Sequence, residues 1–432
     1  SAFPDCVLHL REKGGTHIGS DCKLSPERRD GLREHTGSQI LNPALATAAT
    51  YPGASLKIQH HSSVSEIPHE LWDSLTEADF PFLDHAFLRA LELGGCVGQG
   101  TGWSPRHLTV WKGGKLVGSC SLYLKSHSYG EYIFDWEWAQ AFERYQLDYY
   151  PKMVSAVPFT PATGRKLLVH PEACREKVEK ALLKKAFEIT REAGASSLHF
   201  LFSRREENRA FEEAGCRIRN TFQYHWRNPG YRDFEDFLSR LKRKRRKDIL
   251  RERREVEKQG VTIETLENDA IEPLHVELMY RFYLSTIDKK WGSAYLSREF
   301  FNAILEGMRP YLVLILARQN SQWVAGSINY RKGKGLFGRY WGCVREFRFL
   351  HFELCYYRTI DYAIRYGYRF FEAGAQGSHK VQRGFLPEVT YSAHWIQHPG
   401  FRKAIFDILD QEKQALKMGL EEFERSPYRV SV

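Results

Sequence analysis

The chain has 432 residues, 42% of them hydrophobic and 14% aromatic, and a formal net charge of +10. At roughly 150 residues per domain that is enough for two or three packed domains, and it excludes wholesale disorder. No apolar run reaches the roughly 18 residues that a membrane span needs, and the longest strand-like apolar run is Tyr311 to Ala317. Eight cysteines are scattered without a CxxC pair, which argues against structural zinc, iron–sulfur and thioredoxin chemistry and fits a reducing compartment.

Residues 1–54 are rich in Gly, Ser, Thr and Pro and read as a disordered or loosely packed extension. With Ser1 in place of Met the chain reads as processed. The expected compartment is the cytoplasm, with an organelle stroma or matrix as the alternative.

From Leu56 onward a long-period duplication is visible. The first half has a strand Leu108–Trp111, a Gly113-Gly114 turn and a strand Lys115–Leu124; the second has Tyr311–Ala317, a polar turn and Trp323–Tyr330. Both hairpins carry a Gly-Ser pair at the same point of the second strand, Gly118-Ser119 and Gly326-Ser327. An amphipathic helix, a glycine suited to its C-terminal cap and a strand follow in each half: Val178–Ala193, Gly194 and Ser197–Phe202, then Phe352–Tyr366, Gly367 and Tyr368–Ala373. A short polar helix and a last strand close each unit, ending in Cys216-Arg217-Ile218 and in Val389–Ile396. The first half carries an extra segment, roughly Gln140 to Gly164. The expected fold is a mixed α/β arrangement of two tandem acyltransferase-type units: an extension at 1–54, a first domain at 55–232, a basic connecting helix at 233–260, a second domain at 261–425 and a tail at 426–432. A duplicated Rossmann unit is disfavoured, because short turns rather than helices join the early strands.

Gly333-x-Gly335-x-x-Gly338 lies between two predicted strands with no helix after it, so it reads as a hairpin turn and not a dinucleotide loop. His351-x-Glu353 lacks the Pro-Cys-x-x-Cys of a zinc deaminase, and His394 and His398 do not converge on one metal. No metal and no permanently bound cofactor is expected. Residues 239–260 hold eleven basic and four acidic side chains, most of the charge excess of the chain. Lys242, Arg243, Lys244, Arg245, Arg246 and Lys247 form a candidate phosphate-binding cluster, against a plain solvated helix or a nuclear signal as alternatives. Its charges surround the whole helix, so no core face is expected.

The densest chemistry lies between Gly338 and Phe385. Amine acylation needs a base for the amine proton and donors for the developing oxyanion. Glu353, Glu372 and His379 are candidate catalytic residues. Arg339 and Arg383 are candidates for binding a carboxylate or phosphate, Lys380 and Gln376 for holding a carbonyl, and Trp341 for a pocket wall. A buried ion-pair network is the alternative. In Tyr129–Trp138 strand alternation places Glu131, Ile133, Asp135 and Glu137 on one face, making Asp135 a further substrate-binding candidate.

The stretches FLDHAFLRALELGG, TGWSPRHL, LYLKSHSYGEYIFDWEWA, YYPKMVSAVPFTPATGRKLLV, GRYWG, LHFELCYYRTIDYAI and FEAGAQGSHKVQRGFLP resemble the FemAB-like peptidoglycan-biosynthesis/recognition family of the GNAT-like N-acyltransferase superfamily. The resemblance covers about residues 56–425. It implies two tandem GNAT-like domains and an amide-forming acyl transfer, with aminoacyl-tRNA or an acyl-CoA as co-substrate and an amine-bearing small molecule or peptide as acceptor. A non-catalytic recognition protein on the same fold is the third possibility. The loops that would cradle a coenzyme A pyrophosphate, His170–Cys174 and Cys343–Leu350, contain no glycine. That departure favours the tRNA-borne donor and a tRNA or other polyanion as partner of the basic helix.

Overall fold

A computed structural model describes residues 55–289, 294–375, 377–421 and 426–429. The extension and Gln376 lie outside the described residues. All described residues belong to one compact unit, Ala54–Val432.

The strands in chain order are β1 (Leu56–His61), β2 (Trp103–Pro105), β3 (His107–Lys112), β4 (Lys115–Cys120), β5 (Tyr123–Lys125), β6 (Lys152–Ser155), β7 (Leu168–Val169), β8 (Ser197–Ser203), β9 (Arg217–Arg227), β10 (Val261–Glu267), β11 (Leu312–Gln319), β12 (Gln322–Lys332), β13 (Gly335–Cys343), β14 (Phe370–Glu372) and β15 (Leu386–Ile396). The expected mixed α/β architecture is present, but the halves are not separate sheets. Eleven strands run continuously in the order β10-β11-β12-β13-β14-β9-β15-β8-β6-β5-β2, beside a smaller sheet β1-β3-β4-β7. The last strand of each half is exchanged. β9 pairs with β14 of the second half, and β15 lies between β8 and β9 of the first.

The expected strand Lys115–Leu124 is two strands, β4 and β5, one in each sheet. The extra segment explains the break, since it supplies β6 and the loop before β7. Tyr129–Trp138 is not a strand. It is a loop followed by a helix, Trp136–Arg144, so the predicted alternation of faces does not hold there. The basic helix is observed at Arg243–Lys258, after a separate helix Phe234–Arg240. It does have a core face: Ile249, Glu252 and Val256 are buried. The tail returns to this region, where Leu241 bridges Tyr428.

A long helix, Pro273–Lys289, which periodicity did not single out, packs on β12 and β13. Two glycines let it approach. A Cβ on Gly326 would sit 2.5 Å from Met279 Sδ, and one on Gly342 would sit 1.7 Å from the Phe282 carbonyl oxygen. Backbone cannot yield as a flexible side chain can, so Gly342→Ala is expected to cost about 1–3 kcal/mol, the range for overpacked cores. A urea denaturation midpoint equal to wild type would show that the helix is not seated this closely.

Candidate functional site

The site forms where two strands part. β13 and β14 run parallel and pair only over Gly335–Phe337 and Phe370–Glu372. Opposite them, the β12–β13 register slips: Asn329 faces Gly338 while Ile328 faces Tyr340, leaving Arg339 as the extra residue of a bulge. Beyond the paired segment lies a cavity of about 240 Å³. The helix that follows β13 lines it. This helix runs from Leu350 to Arg365 and contains a π-turn over Glu353–Tyr357, in which Arg358 N–H donates to the Glu353 carbonyl five residues back. The wider turn brings Cys355 and Tyr356 to the cavity beside His351 and Trp341.

The expected site residues do not all reach this space. Arg339 and Trp341 line it. The Arg339 side chain is only 2% exposed, lies over the rings of Phe82 and Phe337, and has its Nη2 3.5 Å from Glu372 Oε2. Its Nε has no hydrogen-bond partner. Glu372 is buried and turned toward Arg339 and, at 4.0 Å, His225. Glu353 faces away from the cavity: its Oε1 takes Arg253 at 3.2 Å and Arg358 at 3.0 Å. Burial raises its pKa despite those two cations. Arg383 is likewise engaged. It lies 3.5 Å over the Phe352 ring, donates at 2.9 Å to the Tyr357 hydroxyl, and reaches both oxygens of Glu252 at 3.0 and 2.9 Å. Glu252 comes from the buried face of the basic helix, inside a run that the sequence presents as almost wholly cationic.

His379 sits on the short 3-10 helix Ser378–Arg383, and its Nε2 is 2.9 Å from the hydroxyl of Tyr356, a cavity residue. Burial, then Arg383 and Lys380, lower its pKa, which favours the neutral imidazole; in the tautomer that carries its proton on Nδ1, Nε2 accepts from the phenol. Cys355 is no nucleophile, because burial pushes its thiol far up.

Asp135 belongs to a different cluster. Lys125 and Lys152 are directly opposed on β5 and β6 and fully buried. Two like charges there require acids, and the loop 126–135 supplies them. Glu131 lies 2.8 Å from Lys152 and 3.7 Å from Lys125, and Asp135 binds both Lys152 and, at 2.6 Å, the Tyr149 hydroxyl. Burial pushes Glu131 up to about 7 and Lys125 down to about 7. Burial is the largest single influence on Asp135 and opposes its ionisation, yet Lys152, His199 and the hydrogen bonds it accepts together hold the carboxyl down to about 2. Tyr149 continues to His199, whose Nδ1 is 2.8 Å from Nδ1 of His394 on the exchanged strand. None of these side chains lines the cavity.

On the basic helix, Arg243, Lys244 and Lys247 line a shallow open groove with Asp248, Arg251 and Arg254. The last two arginines fall outside the cluster singled out from sequence. Lys242 is exposed at the helix start, Arg246 is half-buried, and Arg245 is partly drawn off by Gln382 and Asp248. Among the described residues no three metal-ligating side chains cluster, and no helix is long and apolar enough to cross a membrane.

The FemAB-like family profile, described as peptidoglycan biosynthesis/recognition, matches residues 63–430. FemX superposes with a TM-score of 0.49 at 12% identity, covering 81% of this chain and 100% of FemX. A tandem GNAT protein from the clavulanic acid biosynthesis pathway gives 0.41 at 14% identity, covering 80% of this chain and 99% of its own. The C-terminal domain (DUF2156) of a putative lysylphosphatidylglycerol synthetase from Agrobacterium fabrum gives 0.48 at 12% identity, covering 82% and 98%. No curated protein matches the chain in sequence.

Lys380 supplies a pH test of the site. It is 2% exposed and donates at 2.7 Å to the Gly374 carbonyl. Burial, then Arg339, pull its pKa from 10.5 down to about 7. Between those values the unfolded chain holds a proton that the folded chain has released, so this lysine makes stability rise with pH across that window. The stability advantage of wild type over Lys380→Met is expected to grow from pH 7 to pH 9.5 in denaturant titrations. A difference independent of pH would show that the folded state keeps the ammonium charged.

Proposed function

The chain belongs to the FemAB-like family of peptidoglycan biosynthesis and recognition, and from that premise we propose that it is an N-acyltransferase that forms an amide at the cavity between β13 and β14. The observation that carries this reading is the Tyr356–His379 pair, one hydrogen bond from the cavity wall. In the step, the nitrogen of a neutral amine attacks the donor carbonyl and the C–N bond forms. The bond from the acyl carbon to the ester oxygen of an aminoacyl-tRNA breaks. The amine proton passes through the Tyr356 hydroxyl to His379 Nε2, which returns it to the departing oxygen. Arg339 is the cation on the cavity wall that faces the developing negative charge. Glu353 and Glu372 are not assigned as the base, because neither lines the cavity and each is turned to a guanidinium group.

The transfer reading is tested by His379→Ala and Tyr356→Phe. Each is expected to lower the rate of amide formation about 10²–10⁴-fold, the usual contribution of a positioned base, with little change in substrate binding. Glu353→Gln is expected to stay within a few fold of wild type. The reverse order of effects would move the base to Glu353.

An aminoacyl-tRNA donor is supported by the cationic groove on the basic helix. Its helix is tied to the site loop through Glu252 and Arg383 and through Arg245 and Gln382. Replacing Lys244, Lys247 and Arg251 by Gln is expected to weaken tRNA binding. It should also flatten the dependence of log K on log salt by about 0.7–0.9 per lost phosphate contact. An unchanged slope would remove the groove from the binding surface. A coenzyme A donor, whose thioester C–S bond would break instead, has one observation in its favour: the helix at Leu350 starts without a side-chain cap, with Arg345 and Arg348 just before it. Calorimetric titration with acetyl-CoA separates the two donors.

A further inference from the structure

The cavity walls come from both halves of the chain, and two of them are held in an unusual way. Tyr132 and Phe159, both from the first half, have φ of 61° and 57°. Bulky side chains seldom adopt this left-handed backbone, which costs of order 1–2 kcal/mol. Both rings nevertheless line the cavity of the second half. Phe159 stacks on Tyr295 with centroids 5.1 Å apart and planes 15° from parallel. Gly130 makes room for this ring, since a Cβ there would lie 2.6 Å from Phe159 Cδ1. Tyr340 and Trp341 line the same cavity.

Three of the described lining residues carry a buried polar atom without a hydrogen-bond partner: Arg339 Nε, which can only donate, and the hydroxyls of Ser327 and Tyr340. No carboxylate is among the described residues that line it. A buried ammonium would find aromatic faces but no counter-charge, beside a buried guanidinium that repels it. An oxygen acceptor would satisfy the Arg339 Nε–H, which can only donate, and could also take a hydrogen bond from the Ser327 hydroxyl. The volume of about 240 Å³ falls below the roughly 300–1,000 Å³ of sites for drug-sized ligands, so it admits one ring-sized group and not a nucleotide.

From this the geometry points to an acyl-group subsite: Tyr132, Phe159 and Tyr295 clasp a flat, uncharged ring on the donor's acyl group, with an oxygen acceptor at its inner end meeting Arg339 and Ser327. This rests on the transfer reading above for the word acyl, but the recognition stands on the cavity alone. The test uses the full chain, p-cresol as a ring with an oxygen and benzylamine as the matching ring with an ammonium, and saturation-transfer NMR titration without any acyl donor. p-Cresol is expected to bind at least about tenfold more tightly than protonated benzylamine. Phe159→Leu, which keeps volume and removes the ring, and Ser327→Ala are each expected to weaken p-cresol about three- to tenfold with an unchanged melting temperature. Equal binding of the two probes, or p-cresol binding indifferent to both substitutions, overturns the subsite. p-Cresol binding as expected in a chain that transfers no acyl group from any donor would refute the reaction and leave the ring subsite standing.

Discussion

Everything in this molecule hangs on the reciprocal exchange of β9 and β15. A half whose final strand lies in the other half cannot complete its own sheet. β15 offers one edge to β8 through residues 391–396 and the other to β9 through residues 386–394. Two duplicated units thus become one eleven-stranded sheet. The edges that separate domains would leave unpaired are paired here, and unpaired edges are where sheets aggregate. The exchange also fixes the two halves rigidly enough for loops of the first to line a cavity of the second. Without it, Tyr132 and Phe159 would have no fixed relation to Tyr340 and Trp341.

The same exchange explains why so much charge is buried. Lys125 and Lys152 face each other across β5 and β6, next to the strand that meets β15. Their compensating acids lie on an irregular loop, and the chain of contacts runs on through Tyr149 and His199 to His394. Removing one member of such a network leaves another charge uncompensated at several kcal/mol. The network therefore selects one register of the exchanged strand: a two-residue slip of β15 would keep its faces and lose the His199–His394 contact.

The repeated grammar of the chain was legible because it rests on local rules. The Gly-Ser pairs at 118–119 and 326–327, the helix-Gly-strand passages ending at Phe202 and Ala373, and the hairpin turn at Gly333 all report local backbone needs. The partner of a strand is not local: β15 shows the same alternation whether it pairs with β8 or with β14, so the exchange could not be read. Tyr129–Trp138 alternates convincingly, yet Gly130 and the left-handed Tyr132 bend it away from any strand. Of the residues singled out from sequence, Arg339 and Trp341 line the cavity and His379 meets the cavity residue Tyr356. The sequence could not tell that Glu353, Glu372 and Arg383 are already paired, because Arg253, Arg358 and Glu252 lie on other elements or in a run that looks uniformly basic. Tyr356 was within reach, since it follows Phe352 at helical spacing and shares its face. The π-turn that aims it left no signal.

Glu252 shows how a surface charge run can be part of a site. Were the basic helix wholly solvated, a polyanion bound to it would have no route to the chemistry. Its outer side presents Arg243, Lys244, Lys247, Arg251 and Arg254. Its inner side sends Glu252 to Arg383 and Arg253 to Glu353. Arg383 in turn donates at 2.9 Å to the carbonyl of His379. The helix contacts the side chain that braces the His379 backbone, while Arg253 meets Glu353, the residue where the π-turn begins. One helix thus joins the surface that would hold a donor to both sides of the Tyr356–His379 pair. That is the arrangement expected if occupancy of the groove is to be felt at the cavity, and an isolated basic patch could not provide it.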